Sequence, residues 1–373
     1  MNNARTHSSL LFADNKDMRD LFESEAVFSP PYLRRLAFNR GIVLSHKDSR
    51  EDLIAYVSLA SYARVELDKL LDEAAPAERQ MPSTTYEFNG TYVSADIVAA
   101  ARKVRVDRSA KHDEAVQVVN KNGAVIVTVE YTQLDPSRTR LQQKRAKEVV
   151  IELRHVDGKL QVRATPNAKA EAYVAAMIAQ LTPAGSEPPE PRAIDLSGSN
   201  DPKVRTDFFL GILARSSADR TSEVTDVRVN RFEDRADEDE ESDDDDDEAP
   251  NKHPKVAKKL TAELRNASLE GSNILTTKIY IDLMAQGYFI SRITWLRKHK
   301  DGAEASLEAW FHDPVDSRGF RYHVRSVKDP HSPGDNPPHR KPDVGERNAL
   351  LGVVEEAARA AYDEVSSKLE SGR

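Results

Sequence analysis

The spacing of apolar side chains changes period several times along the chain, and each change marks an element. Between 28 and 62, Tyr32, Leu33, Leu36 and Ala37 recur at the three- and four-residue spacing of one helical face. Pro30 and Pro31 stand at its start, where a proline is tolerated because its missing donor would be unpaired anyway. Gly41 follows, at a place where helices commonly end in a left-handed residue that glycine adopts without steric cost. Ile42 and Leu44 read as a short extended link. Ser49 is the predicted N-cap of a second helix, Glu51 and Asp52 suit its positive end, and Leu53, Ile54, Val57 and Ala60 carry its apolar stripe onward, toward Ala74. Residues 1–27 before this hairpin read as a polar tail with a short helical piece around Met18 to Phe22, and 75–83 after it as a linker.

From about 85 to 182 the period drops to two. Val125, Val127, Val129 and Tyr131 alternate with their neighbours, which predicts a strand with one buried face. The predicted order is a helix from Ser94 to Arg105, four antiparallel strands at 116–119, 124–131, 147–155 and 159–164, and a helix at 167–181. Asn122-Gly123 and Asp157-Gly158 are the hairpin turns. Residues 182–203 are rich in proline, glycine and serine and read as a linker. A further module, 204–370, shows a helix at 204–214, a strand at 225–232, helical signals at 254–269 and 277–286, and strands at 288–297, 305–312 and 320–326. It closes with a helix at 344–369 whose Leu350, Leu351, Val354, Ala358, Ala361, Val365 and Leu369 share one face. The expected fold class is therefore α+β and multidomain: an N-terminal helical hairpin, then two modules of antiparallel sheet packed with helices. Both modules place strands before a closing helix, an order that hints at a diverged duplication, although no residue-level repeat accompanies it.

The stretch Leu33, Leu36, Arg40-Gly41-Ile42 and Arg50 to Ile54 resembles the helix-extended-helix group, which includes SAP- and LEM-like domains. The resemblance covers about 35 of the 373 residues. Some members of that group bind DNA through basic residues of the turn and the start of the second helix, and others bind proteins. The resemblance implies a contact role for Arg40, His46, Lys47 and Arg50. Arg34 and Arg35 add basic groups on the first helix, opposite its apolar face.

Charge changes the picture once it is located. The formal net charge is -8, but residues 234–248 hold twelve acids and one arginine, so the rest of the chain is mildly basic at +3. That acidic run reads as a disordered loop, 234–250, inside the last module. Either it is a solubilising spacer or it folds back over basic surfaces and competes with nucleic acid. The connection between two predicted strands carries Arg138, Arg140, Lys144, Arg145 and Lys147. A basic loop beside a sheet suits phosphate contacts, because each neutralised phosphate releases counterions; the bland alternative is a solvated hairpin loop.

Catalytic signals are absent. There is no cysteine, which excludes disulfides, zinc–thiolate sites and a cysteine nucleophile. His299, His312, His323, His331 and His339 form no helical metal-ligand pair, and no metal or cofactor is expected. No phosphate-binding loop, serine-nucleophile elbow or dinucleotide-binding glycine pattern occurs, and Glu130, Glu148 and Glu152 lack a lysine two residues on. Trp295, Trp310, Phe311, Phe320 and Tyr322 are expected to form core between sheet and helix, with base stacking as the sharper alternative. No apolar run reaches the roughly 20 residues of a membrane helix, and the first twenty residues lack the apolar core of a secretory signal, so a cytoplasmic protein is expected. The leading expectation is a non-catalytic DNA-binding accessory or targeting protein, DNA being favoured over RNA, with contacts from Arg34, Arg35, Arg40, His46, Lys47, Arg50, Arg138, Arg140, Lys144 and Arg145. The alternative is a protein-interaction adaptor that docks a partner, or a second copy, through the hairpin and the C-terminal helix.

Overall fold

The computed structural model describes residues 13–74, 81–90, 92–111, 114–121, 123–156, 158–183, 185–216, 222–232, 266–298, 303–328 and 339–371. Its fold is α+β. The helices are α1 (Asn15–Ser24), α2 (Pro30–Phe38), α3 (Arg50–Ser58), α4 (Arg64–Ala74), α5 (Ser94–Lys111), α6 (Ala168–Leu181), α7 (Pro202–Ser216), α8 (Lys278–Ala285) and α9 (Val344–Ser371). The strands are β1 (Thr84–Asn89), β2 (Glu114–Lys121), β3 (Ala124–Leu134), β4 (Lys144–Val156), β5 (Lys159–Ala164), β6 (Arg192–Ala193), β7 (Glu223–Arg231), β8 (Asn266–Glu270), β9 (Tyr288–Lys298), β10 (Glu304–Asp313), β11 (Arg318–Lys328) and β12 (His339–Arg340). They form two six-stranded antiparallel sheets, ordered β2-β3-β4-β5-β1-β6 and β12-β11-β10-β9-β7-β8. Gly123 and Gly158 take positive φ at the two hairpin turns read from the sequence.

Contacts divide the chain into two units: Met1–Arg79 with Ser94–Ile151, and Gln80–Val93 with Glu152–Arg373. In the first unit α1 to α4 pack around Leu21, Phe22, Phe28, Leu33, Leu53, Ile54 and Leu70. Phe22 and Phe28 meet edge to face at 5.0 Å, and burying each such side chain contributes about 1.5–3 kcal/mol. Two capping boxes fix helix starts: Asp14 with Asp17 for α1, and Ser49 with Asp52 for α3. The second hairpin helix does not run unbroken to Ala74. It ends at Ser58, Tyr62 donates its hydroxyl back to the Val57 carbonyl at 2.7 Å, and α4 starts anew at Arg64. In the same unit α5 lays Ile97, Ala101 and Val104 toward the Val116, Val125, Val127 and Val129 face of β2 and β3.

In the second unit β1 pairs with β5 along its whole length, Thr84 opposite Ala164 through Asn89 opposite Lys159. β1 was not anticipated from the sequence: TTYEFN is buried at both Thr84 and Thr85 and again at Glu87 and Phe88, so no two-residue alternation shows. Residues 182–203 are more than a linker. Arg192 and Ala193 pair with β1, and Ile194 and Leu196 enter the main core. The segment read as helical at 254–269 ends in strand β8 from Asn266; its earlier part, like the acidic run, lies outside the described residues. The apolar face of α9 is occupied: Leu351, Val354, Ala358, Ala361 and Val365 are buried with Phe208, Phe311, Phe320 and Trp295.

A fully partnered charge network runs through this unit. Arg163 on β5 bridges Glu152 at 2.8 Å and Glu355 of α9 at 2.6 Å, and the Tyr322 hydroxyl donates to Glu355. Burial opposes the Arg163 cation, but Glu355 and Glu152 more than offset it and raise its pKa. Burial, reinforced by the Glu355 charge, holds the Tyr322 phenol well above its ordinary value, so it stays a donor. Glu87 on β1 is likewise ringed by Arg359, Lys159 at 3.4 Å and Arg192 at 3.6 Å.

Candidate functional site

Half of the ten cations singled out in the sequence, Arg34, Arg40, Arg50, Arg138 and Arg140, are engaged inside the first unit. Arg34 donates to the carbonyls of Ser45, His46 and Asp48 at 3.1–3.2 Å, fixing the link between α2 and α3. Arg40 donates to the Ser61 carbonyl at 2.6 Å, pairs with Glu66 at 2.9 Å and lies 4.1 Å from the centroid of the Tyr62 ring. Arg50 turns back onto the end of α1, where it donates to the Phe22 carbonyl at 2.7 Å. The basic connection before β4 is held in the same way. Leu141 is buried in the four-helix core, Arg138 pairs with Glu25 at 3.5 Å, Arg140 pairs with Asp17 at 3.4 Å, and Gln142 donates to Glu25 at 2.9 Å. Arg50 and Arg138 thus meet around residues 22–25, as partners of a helix end and a carboxylate. Arg35, His46, Lys47 and Lys144 are exposed; the Arg145 side chain lies outside the described side chains.

This part of the chain also leaves large apolar side chains open. Phe38 is 67% exposed, Val43 82%, Leu59 67% and Val65 80%, with Ile42 and Tyr56 also open. Scattered singly, such residues need no explanation. Here the bridge from Arg40 to Ser61 and Glu66 ties the end of α2 and the link after it, carrying Phe38, Ile42 and Val43, to the junction of α3 and α4, carrying Leu59 and Val65. Tyr56 precedes Leu59 by three residues, on the same helical side. Residues 13–74 hold nine basic and twelve acidic side chains, so this helical segment as a whole carries a net -3. Burial pushes the Tyr62 phenol beside it up to about 12, against the pull of Arg40.

No family model matches this chain, and no curated protein is detectably similar to it.

The apolar group escaped the sequence reading because Phe38 sits one position off the Leu33–Ala37 face and Leu59 falls just past the last turn of α3. One signal was present: Ile42, Val43 and Leu44 are three consecutive apolar residues in a link that needs only one to face inward, and only Leu44 packs on the core. In the second unit, Trp295, Phe311, Phe320 and Tyr322 are core as expected, whereas Trp310 stands on the opposite sheet face. A cleft between α7 and α9 is lined by Asp207, Arg215, Glu364 and Lys368, but Glu364 already pairs with both Arg215 and Lys368. Among the described residues no group of three or more His, Asp or Glu is placed to hold a metal ion, and no helix is long and apolar enough to cross a membrane.

Proposed function

We propose that this protein is a non-catalytic adaptor that docks a partner protein on its N-terminal helices. The observation that carries the reading is the group Phe38, Ile42, Val43, Leu59 and Val65, open to solvent on two segments that Arg40 ties together. Apolar anchors in a central patch contribute most of the energy of a protein interface. The net -3 of residues 13–74 suits a partner that offers apolar side chains within a basic rim. The competing reading, a DNA-binding accessory protein, rests on exposed Arg35, His46 and Lys47, since Arg34, Arg40 and Arg50 serve the fold.

The test is recovery of the full-length chain from its native cells, identification of what co-purifies in fixed ratio, and reconstitution of that pair from purified components. Phe38→Glu with Leu59→Glu should weaken the reconstituted complex at least tenfold while leaving the circular dichroism melt unchanged. An unaltered dissociation constant would remove the helical surface from consideration. Duplex DNA binding at low salt that disappears in Arg35→Ala with Lys47→Ala would put the DNA reading in front.

A further inference from the structure

The second sheet carries its helices on one face, where Val227, Ile293, Ala309 and Tyr322 are buried and Tyr322 reaches Glu355 of α9. Its other face repeats a different pattern. Cross-strand register aligns Arg228 of β7, Arg292 of β9, Trp310 of β10 and Arg321 of β11 in one row across four strands. The neighbouring row is Asp226, Thr294, Glu308 and His323, and exposed Arg325, at the bulge of β11 opposite Ser306 and Leu307, is near enough for its charge to act on both His323 and Glu308.

The two rows differ in what they leave for a ligand. Glu308 is 1% exposed and takes up Arg292 as an ion pair. Asp226 accepts from the Ser268 hydroxyl at 3.3 Å. Arg228 and Arg325 are exposed and hold no ion pair among the described residues. Trp310 is half-buried and its orientation is set by neighbours: the His323 ring meets it edge-on at 5.5 Å, and the Arg292 guanidinium lies 5.7 Å from its centroid. With strands about 4.8 Å apart, Arg228 stands roughly 10 Å from Trp310 along the row.

We infer that this sheet face binds single-stranded nucleic acid, with an unpaired base stacked on Trp310 and backbone phosphates held by Arg228 and Arg325. An indole fixed on a sheet between cations is the combination that takes a base by its face and the backbone by its charge. A duplex fits poorly, because its bases are already stacked and this sheet face offers no helix or ribbon to enter the major groove. This surface is separate from the helical docking group and does not rest on it.

The experiment is fluorescence anisotropy of a labelled 12-nucleotide oligothymidylate, an oligouridylate and a 12-base-pair duplex with the full-length chain at two salt concentrations. The single strands should bind more tightly than the duplex, and more weakly as salt rises. Trp310→Ala should weaken them at least fivefold, Trp310→Tyr should retain most of the affinity, and Arg228→Glu should weaken them and flatten the salt dependence. Phe38→Glu with Leu59→Glu should bind the single strands like wild type, which separates this inference from the adaptor reading. Should Trp310→Ala fail to fold, the exposed Arg228→Glu and Arg325→Glu variants decide alone. No single-strand binding at low salt, equal preference for duplex, or indifference to Arg228→Glu would each overturn it.

Discussion

His323 is where acid should act first on the second unit. Burial, then the charges of Arg325, Arg292 and Arg347, push its imidazole from 6.5 down to about 4. The one carboxylate against it, Glu308 at 3.2 Å, is already matched by Arg292, and burial pushes that carboxyl upward. A histidine whose folded pKa is depressed costs the fold nothing above the unfolded value and opposes it as pH falls. Stability should therefore hold above about pH 6.5 and decline by up to about 3 kcal/mol on the way to pH 4. Glu308 titrates with the opposite sign, since a raised carboxyl favours the fold at low pH, so its contribution tempers the lowest part of that window. Urea midpoints between pH 7.5 and 4 check this: His323→Gln should flatten the slope from 6.5 downward. An identical slope in the variant would assign the acid sensitivity to other groups.

At the scale of elements, the cations around α1 serve as caps and anchors. Arg50 supplies donors to carbonyls at the end of α1, Phe22 at 2.7 Å and Glu25 at 3.4 Å, where a helix end leaves carbonyls without partners of its own. Hydrogen bonds from charged donors contribute about 1.5–3 kcal/mol when buried and less when half-exposed. Arg50→Ala should lower the urea stability of the first unit by about 1–2 kcal/mol, whereas exposed Arg35→Ala should change it by less than about 0.5 kcal/mol. Equal, negligible effects would return Arg50 to the solvent-facing role that the sequence suggested. The same contrast explains what could be read in advance. Helical and strand periods are local facts, and they located α2, α5, α6, β3, β9 and the long α9 well. The partner of an arginine is not local: Arg138 and Glu25 are 113 residues apart, and no periodicity records that Leu141 enters a core built from residues 18–74. The break between α3 and α4 was hidden for a related reason. No glycine or proline marks it, and Leu59 and Tyr62 prolong the apolar spacing past the point where the backbone leaves the helix.

At the scale of the whole chain, composition suggested cuts at 75–83 and 182–203; a boundary between units does fall inside the first, whereas the second lies wholly within one unit, and 94–151 joins the N-terminal helices. Within the second unit Ser83 exchanges backbone hydrogen bonds with Tyr322 at 2.8 and 3.0 Å, and the unit takes β1 and the end of β4 before the proline-rich stretch. The piece 85–182, which reads as a module of four strands and two helices, should not fold alone. Excising it removes Glu355 from Arg163, and both Arg359 and Arg192 from buried Glu87. Breaking a buried pair on one side costs about 3–5 kcal/mol, against a total stability of about 5–15 kcal/mol for a domain. Loss of the four-helix pocket around Leu141 adds an exposed leucine. The fragment should show no cooperative thermal transition, poor amide dispersion by NMR and strong binding of a hydrophobic dye, while the full chain melts cooperatively. A sharp melt and dispersed amides from 85–182 would mean that its own core suffices, and that the charged network adds specificity of pairing more than stability.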